Sequence, residues 1–187
     1  MIPLSLKVLG SLFGLSELLL ALLKRSKAGS VSKDRGSLWR LWAVILASIG
    51  LANGSALLVP EFYSAWLHTI RFAGVALVVA GLLLRWCAII HLGRFFTVNV
   101  SIAADQRVVD SGPYRLIRHP SYAGALVAFL GLGICSENYV SLVVLVLPVT
   151  LVFLHRIEVE EAVLNEALGA NYSAYAGRTK RMIPWIY

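Results

Sequence analysis

Three long apolar runs fill most of the first half of this chain: about Pro3–Leu23, Leu38–Val59 and Thr69–Ile90. Each is close to the ~20 residues with which a helix crosses the ~30 Å hydrocarbon core of a bilayer. In lipid a segment must satisfy its own backbone N–H and C=O groups, so each run has to be helical. Composition agrees. The chain of 187 residues is 58% hydrophobic and 14% charged, with a mean hydropathy of +0.76, against about 45–50% and about 25% in soluble domains. The net charge of +7 does not argue for nucleic acid. The basic residues sit in the gaps between apolar runs, a membrane-topology pattern, so the surface's partner is the lipid bilayer.

Two further apolar segments, Ser121–Cys135 and Tyr139–Leu154, are shorter. They are joined only by "SEN", which predicts a tight helical hairpin. Pro148 inside the second predicts a kink, which membrane helices tolerate. The expected fold is all-α: a polytopic membrane protein of about five transmembrane helices, with a short helical hairpin and a cytoplasmic C-terminal helix. A single integral-membrane domain over 1–187 is expected, with 1–91 supplying three membrane helices and 92–187 the catalytic part.

The loops predict orientation. Lys24, Arg25, Lys27, Lys33 and Arg35 follow the first run; Arg94, Arg107, Arg115 and Arg118 follow the third; Arg156, Arg178, Lys180 and Arg181 follow the fifth. The opposite loops hold Glu61, His68 and Glu137, with Lys7 and Arg71 just inside spans. The positive-inside rule then puts the N-terminus outside, and the C-terminus and reactive loops in the cytoplasm. The first basic cluster follows its apolar run, the reverse of a signal peptide's order, so the first helix reads as a signal anchor. Cys87 and Cys135 lie in apolar runs and read as small buried hydrophobes. Neither metal-ligand spacing nor a disulfide framework is present, so no metal is expected.

Polar chemistry gathers at two places. In "SGPYRLIRHPSYAG", Ser111–Gly124, Gly112 allows close backbone approach and Pro120 suits a first helical turn, with His119 near the N-cap. The free N–H groups there suit a carboxylate. The same residues also fit an ordinary loop-to-helix junction with interfacial arginine and tyrosine anchors. In "HRIEVEEAVLNEALG", His155–Gly169, Arg156 and Glu160 share a helical face. Such a pair is a solvated ion pair worth a few tenths of a kcal/mol, or a functional one where a membrane helix leaves the bilayer. Of the two charges within spans, Arg85 is expected to snorkel to the cytoplasmic end, and Glu17 to sit among polar neighbours. No phosphate-binding glycine loop and no G-x-S-x-G elbow occurs.

The combination of G-x-Y at Gly112, R-H-P-x-Y at Arg118, R-x-x-x-E-E at Arg156, L-G-x-x-Y-x-x-Y at Leu168 and R-x-I-P at Arg181 resembles the isoprenylcysteine carboxyl methyltransferase family, over roughly Gly93 to Tyr187. The resemblance implies S-adenosyl-L-methionine taken from the cytosol and a lipophilic small-molecule or prenylated acceptor taken from the bilayer. It implies cofactor contacts at His119, Pro120, Ser121 and Tyr122, at Tyr114, and along a strand-like stretch Gln106, Arg107, Val108 and Val109. Asn99 stands where the animal enzymes have a glutamine, Glu160 matches a cofactor-binding glutamate, and Arg156 matches the arginine facing the acceptor. Arg156 and Glu160 are therefore the expected catalytic pair. The implied reaction is O-methylation of an isoprenylcysteine-like carboxylate or of a long-chain phenolic lipid, the latter because "LGRFFTVNV" resembles the small relatives. A phospholipid N-methyltransferase, a sterol-reductase-like NADPH-dependent reductase and a non-catalytic scaffold remain as alternatives.

Overall fold

Each apolar run folds as a helix. The protein is described by a computed structural model covering residues 4–23, 31–32, 36–59 and 63–187. Pro3, the cluster Lys24, Arg25, Lys27, Lys33 and Arg35, and Glu61 lie outside the described residues. The helices are α1 (Leu4–Leu23), α2 (Ser37–Leu58), α3 (Ala65–Thr69), α4 (Arg71–Leu92), α5 (Pro120–Cys135), α6 (Tyr139–Leu168) and α7 (Ala170–Arg178).

Ser37–Ser55, Arg71–Phe95 and Tyr139–Leu168 are long and apolar enough to cross a membrane, while Val8–Leu20 and Pro120–Cys135 are shorter apolar stretches. At ~1.5 Å per residue, the 16 residues of α5 reach only about 24 Å. The fifth segment is longer than its apolar run. α6 does not end with its apolar run at Leu154: it continues through the acidic stretch, spans 30 residues in all, and is closed by Gly169 with φ 52. Charges do not break a helix; a left-handed glycine does. Gln106–Val109, expected to be strand-like, belongs to no strand and no helix. A two-residue ladder lies just before it, β1 (Val31–Ser32) antiparallel to β2 (Ser101–Ile102).

Local chemistry sets the helix starts. Asn138 caps α6 by accepting from Ser141 N (3.0 Å), and Ser64 caps α3 by accepting from Leu67 N (3.2 Å). Pro120 opens α5 with His119 at its N-cap. The hairpin between α5 and α6 turns through Glu137 at φ 57, whose carboxylate accepts from His68 Nδ1 (2.9 Å).

α4 and α5 touch backbone to backbone along a glycine seam. A Cβ on Gly81 would stand 2.5 Å from Ala128 N and Gly124 O, and one on Gly131 2.5 Å from Gly74 O. With no side chains between them, the helices approach as small-residue membrane helices do. Elsewhere the core is bulky: Phe13, Leu41, Ile45, Phe129, Val149 and Phe153 are buried together. Ser141 Oγ ties α6 to α2 by donating to Ala52 O (2.8 Å).

Candidate active site

The N-terminal end of α5, the middle of α6 and the loop of residues 96–109 enclose a cavity of about 550 Å³ that α1 and α2 also wall. Its lining is of two kinds. Phe13, Leu18, Leu41, Ile45, Ile49 and Phe129 make an apolar part; Asn99, Gln106, Arg107, Tyr122, Arg156 and Glu160 bring polar groups. Val108, Val109, Tyr114, His119 and Ser121 complete the set, so nearly every residue singled out in the sequence faces this one space. Pro120 does not. It is buried as the first residue of α5 and is absent from the cavity wall. Its ring occupies the first turn of the helix, where proline is favoured.

Tyr122 is the hinge of the polar part. Its OH donates to Glu160 Oε2 (3.1 Å) and accepts from Arg156 Nε (2.9 Å). The expected Arg156–Glu160 pair is thus bridged by a phenol from α5. Arg156 is 2% exposed. Nη1 donates to Ser37 Oγ (2.9 Å) at the start of α2, and Nη2 donates to the Val98 carbonyl. The guanidinium therefore ties together α2, α5, α6 and the 96–109 loop, using the planar fork that only arginine has.

Glu161, the neighbour of Glu160, turns away into a cluster of its own. Its carboxylate accepts from Arg118 Nε (2.8 Å), His119 Nε2 (3.2 Å) and Arg181 Nε (3.0 Å). His119 is thereby fixed at the N-cap with its ring against the carboxylate. Arg118 N and His119 N donate to Lys180 O (2.7 Å) and Arg181 O (2.9 Å), so residues 180–181 lie across the entrance to α5. Two tyrosines buttress the turn before it. Tyr175 OH donates to Tyr114 O (2.7 Å), and Tyr114 OH donates to Ala88 O (3.3 Å). Burial pushes the Tyr175 phenol up to about 12 and raises that of Tyr114 further, so both remain O–H donors at neutral pH.

Arg85 does not snorkel. Nε and Nη2 both donate to the Glu17 carboxylate (2.6 Å each), and Nη1 donates to Ser121 Oγ (3.0 Å). An opposite charge at bonding distance outweighs the pull of a distant interface. Glu17, Ser37, Glu161 and the Val98 carbonyl were not singled out as site groups in the sequence. Only Glu161, half of the "EE" pair, carried a motif signal.

The sequence profile of the isoprenylcysteine carboxyl methyltransferase family matches residues 74–166. A probable protein-S-isoprenylcysteine O-methyltransferase of Oryza sativa subsp. indica is 32% identical over 133 residues, 70% of this chain and 69% of the relative. Protein-S-isoprenylcysteine O-methyltransferase A of Arabidopsis thaliana is 36% identical over 115 residues, 60% of this chain and 58% of the relative. The cobalt-zinc-cadmium resistance protein CzcN of Cupriavidus metallidurans is 31% identical over 162 residues, 87% and 69% of the two chains. The solved structure of a eukaryotic intramembrane Ras methyltransferase superposes with a TM-score of 0.71 at 24% identity. It covers 95% of this chain, which in turn spans 64% of that protein, a likeness of fold alone. From the motifs and these relatives together, the chain belongs to the isoprenylcysteine carboxyl methyltransferase family.

Proposed function

We propose that this protein transfers the methyl group of S-adenosyl-L-methionine to the carboxylate of a lipophilic, isoprenylcysteine-like acceptor at one face of the membrane. One observation carries the reading: an apolar space and a polar one meet in a single cavity at Tyr122, Arg156 and Glu160. The residues present fit the cofactor. The Glu160 carboxylate suits an ammonium or ribose hydroxyls, the Asn99 and Gln106 amides and the backbone of Val108 and Val109 offer donors and acceptors, and Arg107 and the α5 entrance suit a carboxylate. When bound, the cofactor supplies an electrophilic methyl group on a sulfonium.

The chain's own part is positioning and exclusion of water. Phe13, Leu41, Ile45 and Phe129 give a lipid tail a dry seat open to helices α1 and α2. Arg156 stands at the border with its guanidinium fixed by Ser37, Tyr122 and the Val98 carbonyl, and orients an anionic head group without a search for geometry. Attack by a carboxylate oxygen on a sulfonium methyl annihilates opposite charges, so a dry site penalises the separated ions more than the transition state. No proton has to move when the acceptor is already a carboxylate. Among the described residues no three His, Cys, Asp or Glu side chains gather as metal ligands, and the proposed reaction uses none.

The proposed site faces the cytoplasm, with the N-terminus outside. Supporting this, Arg94, Arg107, Arg115 and Arg118 follow the end of α4 and precede α5, while His68 and Glu137 meet at the opposite ends of these helices. The whole chain is taken as one domain, because α1 and α2 wall the same cavity as the motif-bearing half. Calorimetric titration of detergent-purified protein with S-adenosyl-L-methionine and, separately, with NADPH tests the assignment. Saturable binding of the first, weakened by Glu160→Gln, together with labelled methyl transfer to a prenylated cysteine, is the expected result. Binding of NADPH alone would sink it.

A further inference from the structure

We infer that the segment Met182–Tyr187, with Arg115, Leu116 and Lys180, is an interfacial anchor that seats on an anionic bilayer surface beside the entrance to α5. Apolar side chains crowd outward here. Trp185 is 85% exposed, Ile186 75%, Ile183 50% and the neighbouring Leu116 54%. Two backbone bonds set their depth: residues 180 and 181 accept from Arg118 N and His119 N, which immediately precede the apolar helix α5. That is the level at which hydrocarbon gives way to head groups, and where tryptophan and tyrosine partition.

The turn is built and held. Met182 N and Ile183 N both donate to Tyr187 O (2.8 Å each), and Arg181 Nη1 donates to Tyr187 OH (2.8 Å). Trp185 has φ 62, a left-handed conformation that is unfavourable for a bulky side chain. The bonds that close the turn hold this conformation, and the fold itself leaves the indole uncovered. Charge completes the surface. Arg178 is paired with Asp110 and Arg181 with Glu161, whereas Arg115 and Lys180 are exposed and have no acidic partner among the described residues. An apolar cap flanked by two such cations complements anionic head groups over acyl chains. The anchor would reach the site through Arg181, which shares the Glu161 carboxylate with His119.

The test uses the full chain reconstituted into phosphatidylcholine vesicles with and without phosphatidylglycerol. The emission of Trp185, taken as wild type minus Trp185→Phe, should lie at short wavelength, be quenched by brominated lipid and be shielded from acrylamide. Phosphatidylglycerol should increase the lipid quenching, and the double variant Arg115→Gln/Lys180→Gln should lose that increment. A spin label on Ile186→Cys in a Cys87→Ser background gives depth independently, should Trp185→Phe not fold. Acrylamide quenching without lipid quenching places the turn in water and overturns the inference. Shielding from both quenchers means a protein contact and overturns it equally, and lipid quenching indifferent to phosphatidylglycerol overturns its charge requirement.

Discussion

Alanine at Gly81 probes how close α4 and α5 stand. The added carbon would lie 2.5 Å from Ala128 N and from Gly124 O. Ordinary contact begins at 3.4 Å, so the helices must separate by about 0.9 Å. Both neighbours are backbone, so no side chain can swing aside. Overpacking costs about 1–3 kcal/mol, and a clash with backbone on a rigid helix belongs at the upper end. Alanine's better helix propensity returns about 1 kcal/mol, leaving a net loss of about 2 kcal/mol. For a chain of this size that is roughly 4–8 °C in Tm. Gly54 in α2 is the control, since a Cβ there meets nothing within 4 Å. Gly54→Ala should hold or raise Tm by a few degrees, about 2–4 °C at most. Thermal unfolding of both variants in one detergent, followed by circular dichroism, reads the contrast. The same substitution should therefore act with opposite sign at two glycines. A Gly81→Ala protein that melts no lower than Gly54→Ala would refute the close approach.

Glu161→Gln should destabilise by about 3–5 kcal/mol, because it leaves Arg118 and Arg181 in a partly buried cluster without their counter-charge. Glu158→Gln, on the exposed side of the same helix, should be neutral in the same melt. Glu17→Gln should likewise cost more than the double variant Glu17→Gln/Arg85→Gln, since the single change strands a largely enclosed guanidinium; equal melting temperatures would argue against a coupled pair. Arg156→Lys should cut methyl transfer at saturating cofactor by about 30- to 1000-fold, equivalent to about 2–4 kcal/mol, because one ammonium cannot bond Ser37, Tyr122 and Val98 together. Lost cofactor binding with normal turnover at saturation would assign the arginine to the cofactor instead.

Run length located the five apolar helices, because a bilayer leaves such a segment little alternative, but it gave no sign of the short α3. Spacing alone put Arg156 and Glu160 on one face, since residues four apart on a helix share it, while Tyr122 came only with the resemblance to a known family. What stayed hidden was long-range. Ser37 meets Arg156 across 119 positions and Glu17 meets Arg85 across 68, and nothing local to either residue names its partner. Arg85 read as a lone intramembrane charge for that reason. Within "EE", the two carboxylates point about 100° apart around α6. Which of them faces the cavity depends on where Tyr122 and Arg118 stand, information carried by the packing of α5. The change in polarity at His155 ends the apolar run but not the helix, which continues to Leu168 and is closed by Gly169.

The bond from Arg156 to Ser37 has a consequence for how such enzymes can be recombined. The family profile spans residues 74–166, yet one acceptor for its buried arginine comes from the first residue of α2, well before that region begins. A chimera that grafts the motif-bearing helices onto a foreign membrane anchor inherits the arginine without its hydroxyl. The graft must bring a serine, threonine or free carbonyl to that place, or carry an unsatisfied guanidinium N–H at the heart of its own site. Modularity in this fold is therefore limited by a hydroxyl on α2, a helix that also walls the cavity and bonds α6.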